Sequence, residues 1–157
     1  MENLIKLRRS VFETNSSSSH SISIDSDGVI DVGNLASHID DGVLVIVPDG
    51  EFGWGPEEYT DPYTKAQYLV MQALYEEDSR GSIYIDSIKS VLEEVTGVDK
   101  VIISGGILDN EDEYDYGHGY IDHQSIGEFT DILNDPYLIK EFIFKRTSEL
   151  IISNDNM

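Results

Sequence analysis

The chain sets 31 Asp and Glu residues against ten Lys and Arg, a formal net charge of −21. Any compact fold must therefore hold many like charges apart on its surface while burying enough apolar area to overcome their repulsion. The charges are unevenly placed. Between Val11 and Thr64 lie eleven acidic residues (Glu13, Asp25, Asp27, Asp31, Asp40, Asp41, Asp49, Glu51, Glu57, Glu58, Asp61) and no Lys or Arg. A second cation-free stretch, Val101 to Ile139, holds nine more. Against this repulsion stand a hydrophobic fraction of 39%, nine Tyr, five Phe and one Trp, which lift the chain out of the disordered class. A length of 157 residues suits one ordinary domain.

Several function classes drop out on composition. The chain has no cysteine, which excludes disulfides, thiolate catalysis and Cys-ligated zinc. The opening MENLIKLRRSVFETN lacks an uninterrupted apolar run, and no later stretch approaches the roughly 18 apolar residues of a membrane helix. The expectation is a cytoplasmic protein without a membrane partner. Direct nucleic-acid binding is disfavoured as well, because the net charge repels phosphate and the only clustered cations are Lys6, Arg8 and Arg9 near one end and Lys145 and Arg146 near the other.

Hydrophobic patterning predicts strands at Lys6 to Phe12, His20 to Ile24 and Val29 to Val32. The apolar run Val43-Leu44-Val45-Ile46-Val47, closed by Pro48-Asp49-Gly50, predicts a central buried strand. Asp61-Pro62 is an N-cap followed by a proline in the first helical position, and Ala66, Leu69, Val70, Ala73 and Leu74 then form one buried face. A short strand at Ser82 to Ile85, a helix from about Asp86 to Thr96 stopped by Gly97, and a strand Lys100 to Ser104 follow. After a loop from Gly105 to Gly119, Ser125-Ile126-Gly127-Glu128 has capping-box spacing for a third helix, Asp135-Pro136 opens a fourth, and Glu149 to Ser153 reads as a last strand. This order is no regular βαβ alternation. It predicts one α+β domain over residues 1–157, a mixed and mostly antiparallel sheet packed by about four helices.

Four segments could carry chemistry. The run Thr14-Asn15-Ser16-Ser17-Ser18-Ser19-His20-Ser21 reads first as a polar hairpin loop, since short hydroxyl and amide side chains bond their own backbone. Its functional reading is a ligand cradle from Asn15, Ser16, Ser17 and Ser18, or a serine nucleophile such as Ser19 with His20 as base. Gly117 to Ser125 holds Asp122 and His123, an acid–imidazole pair suited to general-base work, beside Gln124; adjacent residues tend to point apart, and the spacing matches no closed metal motif. In Glu51 to Tyr59 the sole Trp, Trp54, is a core anchor or a pocket floor, with Glu51 as a ligand-binding carboxylate. The run Asp109-Asn110-Glu111-Asp112-Glu113-Tyr114-Asp115-Tyr116 is not a calcium loop, because Tyr114 stands where glycine is needed and no Glu closes the loop. Its carboxylates could imitate phosphates, with Tyr114 and Tyr116 as anchors for a basic partner. Neither a metal nor a cofactor is expected.

The runs RRSVFETNSSSSHSISI, EFGWGPEEYTDP and GYIDHQS resemble segments of a family of small phage and mobile-element proteins of Gram-positive bacteria. That resemblance carries no activity with it, but it implies a setting of phage–host conflict. Two functions are expected. In the first, a host-modulating or anti-defence protein engages a basic, nucleic-acid-binding host protein through its acidic surface. In the second, a small hydrolase or group-transfer enzyme uses Ser19, His20, Asp122 and His123, which requires segments about a hundred residues apart to meet.

Overall fold

The computed structural model describes residues 4–10, 18–53, 56–76, 80–104, 120–121 and 125–154. It is an α+β fold, as the element order predicts. Strands β1 (Leu4–Ser10), β2 (Ser18–Asp25), β6 (Glu57–Tyr59) and β9 (Glu149–Asn154) form an antiparallel sheet in the order β1-β2-β9-β6. A second sheet, in the order β3-β4-β7, joins β3 (Ile39–Asp40) antiparallel to β4 (Val43–Ile46), and β4 parallel to β7 (Lys100–Ile103). Two short strands, β5 (Glu51–Phe52) and β8 (Tyr120–Ile121), pair in parallel. Antiparallel pairings prevail among the described residues, whose strands fall into three sheets instead of one.

The helices are α1 (Pro62–Leu74), α2 (Arg80–Thr96), α3 (Thr130–Leu133) and α4 (Pro136–Phe144), besides a 3-10 segment at Gly33–His38. Two caps act as their sequence indicates. The Asp61 carboxylate accepts from the Thr64 amide at 2.8 Å, and Asp135 from the Tyr137 amide at 3.0 Å, each with proline entering the helix. Gly97, in the left-handed region at φ 77°, ends α2 with its amide on the Glu93 carbonyl. Between β3 and β4, Asp41 (φ 51°) and Gly42 (φ 75°) make a two-residue hairpin turn with both residues at positive φ.

One apolar cluster joins these layers. Ile22 and Ile24 of β2, Leu44 and Ile46 of β4, Ile139, Phe142 and Ile143 of α4, and Leu150 and Ile152 of β9 are all essentially inaccessible. Helix α1 lies at the centre, packed on α2, α4, β4 and the 3-10 segment. Every residue from Lys65 to Ala73 is buried, so α1 has no solvent face where the sequence pattern suggests a single apolar one.

Several local expectations are corrected. Val29 to Val32 is no strand: only an isolated bridge, Ile30 to Lys145, forms there, and Val29 is 83% exposed. Gly28 and the left-handed Gly33 bracket a run too short to pair. Ser82 to Ile85 belongs to α2, because Gly81, Tyr84, Ile88, Val91 and Leu92 recur at helical spacing and face the core, while the β-like Ile83 points outward at 59% exposure. The Ser125 capping box does not cap: Gly127 at φ 88° breaks the turn, and α3 starts at Thr130 without a side-chain cap. The loop expected from Gly105 to Gly119 lies outside the described residues.

Helices α1 and α2 approach closely at Gly81, where an added Cβ would stand 2.7 Å from the Ala73 carbonyl oxygen. Gly81→Ala should therefore destabilise the protein by about 1–3 kcal/mol, although alanine is the better helix former by about 1 kcal/mol. Urea unfolding measures this, and a stabilised variant would show that the two helices are not in contact there.

Candidate functional site

Because α1 is buried all round, each of its polar side chains has to find a partner inside the protein. Lys65, Tyr68 and Gln72, at i, i+3 and i+7, share one face; Gln67 points the other way and donates to the Val47 carbonyl at 2.6 Å and to Asp49 at 2.8 Å.

On the shared face, the Tyr68 hydroxyl lies 2.6 Å from His20 Nδ1 on β2. Gln72 Nε2 donates to the Tyr68 hydroxyl at 3.1 Å and to Ser125 Oγ at 3.1 Å. All four groups are buried: His20 is 1% exposed, Tyr68 and Gln72 0%, Ser125 4%. Gln72 Oε1 is left without a partner. Exchanging the amide's oxygen and nitrogen would strand two N–H donors instead of one acceptor, so the orientation described is the cheaper one. The phenol oxygen thus accepts from Gln72 Nε2 and shares a hydrogen bond with His20 Nδ1 whose direction follows the imidazole tautomer. Edge-on contacts from Phe52 (5.0 Å between ring centroids) and Phe129 (6.1 Å) enclose the Tyr68 ring.

Three of the four segments singled out in the sequence thus meet at Tyr68. His20 comes from the serine-rich run, Phe52 from the Glu51 strand, and Ser125, through Gln72, from the end of the Asp122–His123 segment, whereas Ser19 is buried next to His20 on β2, where strand alternation turns it to the other face. Ser18 and Ser19 are strand residues of β2, opposite Asn154 and Ser153, and not part of a hairpin loop. Glu51 is exposed on β5 beside Tyr120. Asn15, Ser16, Ser17, Trp54, Asp122, His123 and Gln124 lie outside the described residues, as do Asp109, Glu111, Asp112, Glu113, Tyr114, Asp115 and Tyr116. Among the described residues no three histidine or carboxylate side chains gather closely enough to hold a metal ion, and no helix is long and apolar enough to cross a membrane.

As a unit, the chain His20–Tyr68–Gln72–Ser125 fixes β2, α1 and the turn before α3 to one another.

A second buried polar group lies one turn earlier on the same face of α1. Lys65, fully buried, donates from Nζ to the carbonyls of Lys145 (2.7 Å) and Ser148 (2.9 Å). Burial pushes its ammonium down to about 7, against the weaker pull of the Asp61 and Glu149 carboxylates. A neutral amine keeps two N–H donors, which matches its two acceptors. Beside it Lys145 pairs with Glu141 at 2.9 Å and donates to the Ser26 carbonyl at 2.8 Å, and Ser148 bridges the Glu141 carbonyl and the Asp25 amide.

No family model, curated protein or solved structure matches the chain. Neither Tyr68 nor Gln72 nor Lys65 stands out in the sequence as a site residue. The available signal was that α1 holds one charged residue in thirteen, on a chain where 26% are charged.

Tyr68→Phe removes the hydroxyl that joins His20 to Gln72 and should cost about 2 kcal/mol in urea unfolding. In Tyr68→Phe/Gln72→Met the total should fall below the sum of the two single losses, since no buried amide is then stranded; strict additivity would show that the groups do not interact. For Lys65 the folded-state value of about 7 lies below the unfolded 10.5, so between those limits the unfolded chain binds the extra proton. Stability of the wild type relative to Lys65→Met should rise with pH across that window, by up to about 1 kcal/mol per unit, and level off below it. Parallel urea titrations of the two proteins check the slope.

Proposed function

We propose that the protein acts by binding, as a phage-type host-modulating or anti-defence factor whose acidic surface engages a basic, nucleic-acid-binding host protein in place of nucleic acid. The observation that carries this reading is how the fold distributes its charges. Two of the ten cations, Lys65 and Lys145, are buried, whereas among the described residues Glu141 is the only acidic residue buried as a whole, with one carboxylate oxygen of Glu76 also enclosed. At most eight cations remain to face solvent, and one of these, Arg146, pairs with Asp31. The exterior is therefore more lopsided than the formal charge implies.

The exposed carboxylates group at the ends of strands. Asp40 and Asp41 at the β3–β4 turn stand near Asp99, whose amide bonds the Gly42 carbonyl at 2.8 Å. At β5 and β6, Glu51 and Glu57 come close enough to interact, and burial, and then the charge of Glu51, push the Glu57 carboxyl above its usual range, while Glu58 is exposed next to Glu57 on the same strand. Carboxylates held this way present the charge that a nucleic-acid-binding surface is built to neutralise, which favours fast and salt-sensitive association.

The test uses the immobilised protein and a nuclease-treated lysate of a Gram-positive host. A basic protein should be retained at low salt, be released as salt approaches roughly 0.5 M, and be displaced by duplex DNA. Glu51→Gln/Glu57→Gln/Glu58→Gln should weaken retention by about tenfold. If no retained protein is displaced by duplex DNA, the proposal fails.

A further inference from the structure

Three buried side-chain oxygens among the described residues have no hydrogen-bond partner: Gln72 Oε1, Glu76 Oε2 and the Tyr84 hydroxyl. Gln72 and Tyr84 are 0% and 1% exposed, so neither can turn to water instead. Helical geometry brings the three to one place. The amides of Tyr75 and Glu76 bond to the Met71 and Ala73 carbonyls, so the coil of α1 continues through Glu76, and Gln72 and Glu76, four residues apart, stand one above the other. Gly81 of α2 packs against this end of α1, where an added Cβ would meet the Ala73 carbonyl oxygen at 2.7 Å and Glu76 Cβ at 3.5 Å. On one side of that contact Leu74 and Ile85 line a common cleft with β7. At the helical period, Gln72 and Glu76 fall on the opposite side of α1, and Tyr84 falls on that same side of α2. A tyrosine on a helix also leans toward the helix's N-terminus, which carries the Tyr84 ring back along α2 toward the level of Glu76.

We propose that these three oxygens bind a monovalent alkali cation, sodium or potassium, at the junction of α1 and α2. A carboxylate, an amide carbonyl and a phenol are all hard oxygen ligands, and only the carboxylate brings charge, which suits a single positive charge. A divalent ion asks for more carboxylates than the one present, and among the described residues no three histidine or carboxylate groups come together. Arg80, the cation nearest in sequence, is exposed at the start of α2 and makes no hydrogen bond to Glu76 Oε2. A water molecule could bridge the same three oxygens but would leave the buried carboxylate uncompensated, whereas a cation offsets it. The net charge of −21 also raises the concentration of cations around the whole molecule. Bound there, the ion ties the end of one helix to the start of the next. None of its ligands belongs to the Glu51, Glu57 and Glu58 group, so either proposal can fail while the other stands.

The experiment compares thermal unfolding of the full-length protein in sodium, potassium and choline chloride at one ionic strength, so that screening of the net charge is the same in all three. An alkali cation should raise the midpoint by about 3 °C over choline. Glu76→Gln should abolish that difference, although it removes only one of 31 acidic residues, and Tyr84→Phe should reduce it. Should a variant fail to fold, sodium NMR on the wild type serves instead: the sodium line should broaden when protein is added, and potassium should reverse the broadening where choline does not. Equal midpoints in the three salts would leave water as the occupant and overturn the proposal. So would an alkali advantage that either variant leaves intact, or a sodium line that choline narrows as well as potassium does.

Discussion

Full burial of α1 is the constraint from which the interior arrangement follows. A helix enclosed on all sides cannot send a polar side chain to water, so Lys65, Gln67, Tyr68 and Gln72 each have to be satisfied by a particular neighbour. The neighbours lie far off in sequence: Lys65 reaches the turn after α4, Gln67 the end of β4, Tyr68 the edge of the serine-rich run, and Gln72 the turn before α3. Apolar packing alone would tolerate small slips of these segments along the helix. Hydrogen bonds at 2.6 to 3.1 Å tolerate far less, because a slipped partner leaves a buried donor unpaired. The polar face of α1 therefore sets the register of the surrounding layers, and the apolar cluster supplies most of the energy.

The two buried polar groups on that face differ in kind. At Tyr68 the described partners are an imidazole, a phenol, an amide and a hydroxyl, and Gln72 Oε1 is buried without a hydrogen-bond partner. At Lys65 a cation is brought into the core with two backbone carbonyls as its only hydrogen-bond partners, and its pKa falls until the neutral amine is accessible near pH 7. The adjacent Lys145 instead keeps a carboxylate partner in Glu141. The same turn thus holds one lysine made tolerable by losing its charge and one by pairing it.

How much of this was legible in the sequence depended on range. Signals set by immediate neighbours held: the Asp-Pro entries to α1 and α4, the Gly97 stop, and the apolar runs that became β4 and β7. Signals that tertiary packing could override failed. Ser82 to Ile85 alternates like a strand but is helical, because Gly81 and Tyr84 are needed against the core. Val29 to Val32 has strand-forming residues but no partner of sufficient length. The Asp41-Gly42 pair is a local hairpin signal, and it does form the turn between β3 and β4. At the site, His20 was named from its sequence context, but its partners lie 48 and more residues away on a helix whose polar residues read as solvent-facing. Only the scarcity of charge along α1 hinted otherwise.

The same scarcity explains where the acidity went. α1 has no carboxylate and α4 has only the paired Glu141, so the helices that fill the centre contribute almost nothing to the self-repulsion of a chain carrying −21. The carboxylates sit on α2's outer side, at strand ends and in turns, on the periphery, where water and salt screen them. Such a division lets the core pack as it would in a neutral protein. It also leaves the acidic surface made mostly of strand ends and loops rather than one helix face, and such surfaces can be re-spaced by substitution without disturbing the core. Selection on partner binding could then act on charge position nearly independently of stability.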